Sequence, residues 1–336
     1  MSVVVKTGLV SVVVASYNHA EYLEQRIESL INQTYQDIEI LVIDDCSTDN
    51  SVEVLRKYET HAKVKLTIRE QNGGWVAVSN QGVDFSSGEF VIFANCDDAC
   101  DPRMIERLVE GMRKNPSAGI SYCRSLMIDE DGKLIGDDFS LREKSFRTKC
   151  THDVLIHKRE MNIFLLYSCV IPNLSAALFR TECYRNTGGL TPAYRVCSDW
   201  DLFFKVVNHH DVFYVAKPLN YFRQHTTTIR SSTKERVVYE EYFRLLLGRL
   251  NQLDLTVLER SRVRVRVMYL WASHLLLPTI NGIANFVYHL KCVSSHDSYA
   301  IMFLPFAVIA RFIVLTRILF CMYIRFDFKL KQFGTR

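Results

Sequence analysis

No CxxC pair occurs among the ten cysteines of this 336-residue chain, so no paired-cysteine zinc framework is indicated. Scattered thiols of this kind suit a reducing cytoplasm, and Cys96 and Cys100 read as small buried hydrophobes. The first two-thirds hold no run of interleaved basic and aromatic residues, and the net charge is only +4. Nothing therefore marks a nucleic-acid partner. An unbroken stretch of about 20 apolar residues, the length that crosses a bilayer as a helix, is also missing. The apolar N-terminal run lacks a basic leader and is broken by Lys6 and Thr7, which favours a first strand over a signal peptide. What is present is a hydrophobic share of 48% and a charged share of 23%. That is globular composition, in a chain long enough for one large domain with an appendage or for two domains.

β-branched runs at Leu9–Ala15, Ile38–Ile43, Val64–Ile68, Glu89–Ala94 and Gly119–Cys123 read as strands. Between them Glu21–Asn32, Val52–Tyr58, Trp75–Phe85 and Arg103–Lys114 carry helical periodicity. This alternation predicts an α/β fold, a mostly parallel sheet with helices on both faces. After Cys123 the rhythm changes. Met127–Ile135 reads as a hairpin around Asp131-Gly132, and Asp137–Arg159 as a polar, irregular excursion. A strand at Ser175–Phe179, a helix at Ser198–Val207, and strands at Val212–Ala216 and Leu219–Gln224 follow. From Val237 onward the pattern is helical.

The stretch GEFVIFANCDDACDP, Gly88–Pro102, organises the chain. Its strand ends on a loop bearing Asp97 and Asp98, and open α/β sheets bind ligands just beyond the carboxyl ends of their strands. A lone Asp-Asp pair is most often a turn or helix cap. Here two more acidic clusters fall at comparable places: Asp44-Asp45 after the second strand, and Asp199 with Asp201 at a helix start. Together they suit a nucleotide, a divalent cation such as Mg²⁺ or Mn²⁺, and a carboxylate base opposite.

The motifs VSVVVASYNHAEYL, INQTYQDIEILVIDDCSTDNS, NGG followed by VSNQG, SSGEFVIFANCDDACDP, TGGL, SDWDLFFKV and YFRQH occur in the order and spacing of the family-2 glycosyltransferases. From about Val10 to about Gln224 the chain resembles these GT-A-fold enzymes, which use nucleotide-diphosphate sugars. The resemblance implies that Ala15, Ser16 and Tyr17 line the nucleoside pocket, with Tyr17 packing on the base. Asp45 would bond the base, Asp44 would support that loop, and Asn72 would lie beside it. Asp98 would be the main metal ligand, with Asp97 meeting ribose or metal. Asp199 would be the catalytic base. Gly188, Gly189, Trp200 and Asp201 would lie on the acceptor side. His225 falls where the family often places a group near the metal or diphosphate; a surface histidine is the other reading.

Two departures stand out. Many members carry an acid where this chain has Asn95, and an arginine where it has Ser79; Arg223 or Arg230 is then the source of charge toward the diphosphate. The QxxRW signature of processive synthases is absent after Asp199, which implies single addition. The expectation is an inverting, metal-dependent transfer, from a UDP-sugar, to a glycan or lipid-linked acceptor. Such a reaction would belong to surface-polysaccharide synthesis. Two rivals are a catalytically degenerate nucleotide- or glycan-binding scaffold and a nucleotidyltransferase. The second typically opens with a glycine-rich loop and a basic residue after the first strand, where this chain has SYNHAEYL.

Residues 1–235 are expected to form the catalytic domain, with a nucleotide-binding half (1–123) and an acceptor half (124–235). Residues 236–336 form a helical region. Within it Tyr299–Phe328 is the most apolar stretch, and Arg311, Arg317, Arg325 and Lys329 fall within about a third of a helix circumference. That pattern suits a helix lying in the cytoplasmic interface of the inner membrane, its basic face toward anionic head groups. A helix packed on the protein is the alternative.

Overall fold

The computed structural model describes residues 5–226, 228–276, 282–309 and 312–313. The chain divides into two compact units, Met1–Thr233 and Lys234–Arg336. In the first, the strands are β1 (Lys6–Ser16), β2 (Ile38–Asp44), β3 (Val64–Ile68), β4 (Gly88–Phe93), β5 (Ala99–Cys100), β6 (Ala118–Ile128), β7 (Leu134–Asp137), β8 (Val154–Ile156), β9 (Ala177–Arg180) and β10 (Asp211–Arg223). The principal helices are α1 (Ala20–Ile31), α2 (Ser51–Arg56), α3 (Trp75–Phe85), α4 (Met104–Lys114), α5 (Lys144–Lys149), α6 (Lys158–Tyr167), α7 (Thr181–Asn186) and α8 (Ser198–Val207).

The sheet order is β3-β2-β1-β4-β9-β6-β10-β5, with β7 on β6 and β8 on β10. Strands β3, β2, β1 and β4 run parallel, as do β6 and β10. The two parallel groups are joined by β9, antiparallel to both β4 and β6. β10 therefore runs the same way as β1 and β4, and their carboxyl ends share one edge. The order reverses at β1, which lies between β2 and β4, so the topological switch point is the gap between β1 and β4.

Both faces are covered, because side chains alternate along a strand. Val10, Val12 and Val14 pack with Leu23 and Ile27 of α1, Leu55 of α2 and Leu108 and Met112 of α4. Val13 on the other face meets α3 so closely that a Cβ on Gly82 would lie 2.2 Å from its Cγ1. Farther along that face Phe203 of α8 stacks on Phe179 at 6.2 Å.

The excursion read as irregular is ordered. Asp137 opens a short 3₁₀ turn, α5 follows, and β8 pairs antiparallel with β10. Its apolar residues are few but well placed: Phe146 is buried edge-on to Phe164 and Tyr214. The Asp138 carboxylate takes the Ser125 N–H at 2.6 Å and the Arg142 guanidinium. The two strands read after Val212 are one, β10, with register shifts around Pro218. α4 begins at Met104, one residue inside the expected Arg103. Just before it, Asp101 accepts the Arg103 N–H.

The first unit ends with α9 (Ile229–Ser232); the second contains α10 (Glu235–Gln252), α11 (Val257–Leu276) and α12 (Gly282–His296), followed by a 3₁₀ turn at Ser298–Phe303. Phe243, Leu246, Val267 and Trp271 are buried, Trp271 stacks on Phe286 at 4.4 Å, and Arg264 bonds Asp297 at 2.7 Å. Among the described residues, no helix is long and apolar enough to cross a membrane. Arg317, Arg325 and Lys329, with Arg311, lie outside the described residues.

One polar group ties the amino edge of the sheet together. Glu39, near the start of β2, accepts Ser11 Oγ at 2.7 Å, the Ser87 N–H at 2.8 Å and Lys65 Nζ at 2.7 Å. Burial alone raises its pKa, but these bonds outweigh it and bring the group down to about 2. A depressed carboxyl contributes stability above its unfolded value, lost as pH falls through the folded one. Glu39→Gln should therefore destabilise by about 2 kcal/mol at neutral pH, allowing for the exposed Lys65. The deficit against wild type should shrink between pH 4.5 and about 2, as read from urea midpoints across that range.

Candidate active site

β1 ends at Ser16, and Tyr17 beyond it is 43% exposed. Ser16 Oγ donates to Asp44 at 3.0 Å, and its carbonyl accepts the Asp45 N–H at 2.8 Å. Asp44 is wholly buried and also takes the Ser47 N–H and hydroxyl. It closes the turn after β2. Asp45 accepts the Gly73 N–H at 2.9 Å, the Gly74 N–H at 2.7 Å and Arg69 Nη1 at 2.6 Å. Asn72 Nδ2 donates to its carbonyl. A carboxylate offers about four lone-pair directions, so three are used by the chain itself.

The adjacent acids after β4 are divided between interior and cleft. Asp98 is 1% exposed. Its carboxylate accepts the Arg223 N–H at 3.0 Å and Asn173 Nδ2 at 2.8 Å. Burial and the neighbouring Asp97 charge raise its pKa, against the pull of Arg26 and Ser175. Asp98, expected as the main metal ligand, takes those bonds from within the fold, and Asp97, expected to meet ribose or metal, faces the histidine. The Asp97 Oδ2 meets His225 Nε2 at 2.9 Å. Burial tends to raise Asp97, but the His225 bond and the nearby imidazoles hold it below the ordinary carboxylate range. The same bond raises His225.

His19, Asp97 and His225 form a group whose candidate ligand atoms all lie within 4.8 Å of one another. Two imidazoles and a carboxylate are a donor set that fits a divalent cation. His19 was missed from sequence, although its place just after the first strand, in SYNHAEYL, was a usable signal.

Arg223 does not reach toward a diphosphate. It is 1% exposed, and its guanidinium donates to the carbonyls of Asp97, Asp129 and Glu130 and to Gln25 Oε1. The side chain of Arg230 lies outside those described. Asn95, two residues before Asp97, donates its N–H to Ser175 Oγ at 3.0 Å.

Asp199 is in the first turn of α8. The far end of α8 lies against the start of β6, since a Cβ on Gly119 would meet Val206 at 2.8 Å and His210 at 2.7 Å. The helix therefore begins toward the carboxyl edge, where Asp97 and Asp45 lie. Its start is fixed by bonds across the TGGL loop. Asn80 of α3, which sequence reasoning quoted but gave no role, brackets Leu190 through its carbonyl at 2.9 Å and its N–H at 3.1 Å. Gly189 has φ 75°, and a Cβ there would fall 2.6 Å from Asn80 Oδ1. Ser198 Oγ bonds both the N–H and the carbonyl of Thr191. Asp201 pairs with Lys205 at 3.0 Å, and Lys205 bonds the Gly189 carbonyl. Trp200 and Asp201, expected on the acceptor side, are 8% and 5% exposed. They seat the helix; Trp200 stacks on Phe204. Gly188, with φ 74°, turns the loop beside Gly189.

The carboxyl edge of the sheet thus carries a split acid pair beside a histidine and a switch point, on a GT-A fold. Residues 11–170 match the family described as glycosyl transferase family 2. It is 27% identical over 202 residues to a hyaluronan synthase of Pasteurella multocida, covering 60% of this chain and 19% of that protein. It is 34% identical over 141 residues to the glycosyltransferase GlyG of Streptococcus pneumoniae, covering 40% and 46%. The chain thus spans about a fifth of the first relative's length and under half of the second's. In fold it is similar to residues 1–349 of Staphylococcus aureus TarS, solved with UDP-GlcNAc. The TM-score is 0.69 at 16% identity, covering 90% of this chain and 88% of that one.

Proposed function

We propose that this chain transfers a sugar from a nucleotide-diphosphate donor, a UDP-sugar, to a hydroxyl of a glycan or lipid-linked acceptor in one inverting displacement. The observation that carries the reading is the arrangement at one sheet edge. The Asp97–His225 pair stands beside the switch point, and α8 starts toward the same edge with Asp199 in its first turn. Relatives named for hyaluronan and chondroitin synthesis support a polysaccharide setting.

Tyr17 packs on the nucleoside base, and the remaining acceptor direction of Asp45 reads its edge. Asp44 and Asn72 hold that loop in place. Asp97 and His225 would hold a divalent cation. When bound, the cation supplies positive charge for the diphosphate that departs. The acceptor hydroxyl oxygen attacks the anomeric carbon, and its proton passes to the Asp199 carboxylate. The bond from the anomeric carbon to the leaving phosphate oxygen breaks, and that electron pair leaves with the nucleoside diphosphate. Residues 1–235 carry this chemistry, with 1–123 on the donor side and 124–235 on the acceptor side.

Asp199→Asn keeps the shape and removes the base. It should lower turnover by about 10²–10⁴-fold while nucleotide binding stays within twofold or so, as measured by steady-state kinetics and calorimetry. Wild-type turnover in this variant would remove the base assignment.

The helical unit carries the membrane contact in this proposal, at the cytoplasmic face of the inner membrane. Tyr299, Met302, Phe306 and Ile309 are 66%, 70%, 65% and 59% exposed, at spacings that share one side of a helix. An apolar side of this kind suits insertion among head groups. The full chain should float with anionic vesicles, and Met302→Asp with Phe306→Asp should leave it in the aqueous fraction. Equal flotation of that double variant would contradict the membrane contact.

A further inference from the structure

His19 has no part in the transfer chemistry just described, yet it is held as a ligand would be. Its Nδ1 lies 2.7 Å from the Tyr17 carbonyl. A carbonyl only accepts, so Nδ1 donates there, and Nε2 is the ring nitrogen left to face a ligand. Metal-bound histidines are commonly oriented through the other ring nitrogen in this way. The backbone on either side is clamped to the loop between β2 and α2. Asn18 sits at φ 52°, a left-handed position that asparagine tolerates; it donates its N–H to Ser47 Oγ and accepts the Thr48 N–H at 2.8 Å. The His19 N–H reaches Ser51 Oγ at 3.2 Å, and the Ala20 N–H reaches Asp49 at 3.1 Å.

The imidazole is also placed by neighbours. Its ring centroid lies 5.5 Å from that of His225 at 71°, and Tyr22 packs against both rings at 6.2 and 5.5 Å. Topology adds the last element. His19 follows β1 and Asp97 follows β4, so they flank the switch point from its two sides.

We propose that His19 is a third protein ligand, and that His19, Asp97 and His225 form a two-imidazole, one-carboxylate site that takes a divalent transition cation without nucleotide. The proposal rests on the reading that Asp97 and His225 hold the donor's cation. Ligand atoms around such a cation stand about 3–4 Å apart, from bond lengths near 2.0–2.2 Å. The three candidate atoms, within 4.8 Å of one another, need only a small closure to reach that spacing. Two nitrogen donors select for Mn²⁺, Co²⁺ or Zn²⁺ over Mg²⁺, which prefers oxygen and keeps its waters. Binding should strengthen from Mn²⁺ through Co²⁺. The cation would then be resident before the donor arrives, rather than delivered on its phosphates.

The test uses the purified full chain without nucleotide. Mn²⁺ binding is followed by electron paramagnetic resonance, and nitrogen couplings are counted by electron spin-echo modulation. One Mn²⁺ per chain with two imidazole couplings is expected. His19→Ala and His19→Gln should each weaken binding by about tenfold or more and leave one coupling, with unchanged metal-free melting temperatures. Wild-type affinity and two couplings in both variants would overturn the proposal, as would wild-type Mn²⁺ binding that appears only when UDP is added. Hydrolysis of nucleotide sugar on the same preparations separates the two readings. Turnover with His19-independent metal binding defeats the three-ligand site alone. Tight nucleotide-free binding in a chain that never binds nucleotide supports the site and defeats the transferase reading.

Discussion

A single buried guanidinium governs the geometry of the carboxyl edge. Arg223 ends β10 two residues before His225, and it links the loop after β4, the tip between β6 and β7, and α1 through Gln25. Its backbone N–H holds Asp98, and its side chain lies over Tyr22 at 4.6 Å. Four segments remote in sequence are thereby fixed against one another, and the Asp97–His225 distance follows from that weld. A charged group so deep is tolerable only because its donors find acceptors. The planar fork of arginine can meet several carbonyls at once, which the single ammonium of lysine cannot.

The second constraint is the division of labour between neighbouring acids. Asp97 lies in the turn that the Asp98 N–H closes on the Asn95 carbonyl, and the two carboxylates leave that turn toward different partners. Asp98 goes inward, where Asn173 and the Arg223 N–H satisfy it. Asp97 goes outward to histidine. The acceptor half uses a comparable device: Asn80, Ser198 and Lys205 each bond the TGGL loop or its flank. The start of α8 is thus set by the donor half's own helix α3.

The alternation of β-branched runs and amphipathic helices was readable because each is local, and the parallel core follows from it. The family was readable from motif order. What escaped depends on partners far along the chain. Asp137–Arg159 looks polar, yet it is ordered by Phe146 against Tyr214 and by β8 on β10. β9 lies antiparallel between two parallel groups, which no local pattern reports. Asp98 was preferred over Asp97 as a ligand, and Arg223 was offered to a diphosphate, because sequence gives residue type without the direction a side chain takes. His19 was passed over because nothing in SYNHAEYL says that the residues following β1 meet those following β10, as the His19 and His225 rings do at 5.5 Å.

The central claim is spatial: donor, cation and base meet at one edge, across the gap between β1 and β4. The most direct measurement is a crystal structure of the chain with UDP and Mn²⁺ bound. The account predicts the base beside Tyr17 and Asp45, the cation on Asp97 and His225, and the Asp199 carboxylate facing the diphosphate across an open space of sugar size. A nucleotide bound at another edge of the sheet, or an Asp199 turned to a separate surface, would contradict it.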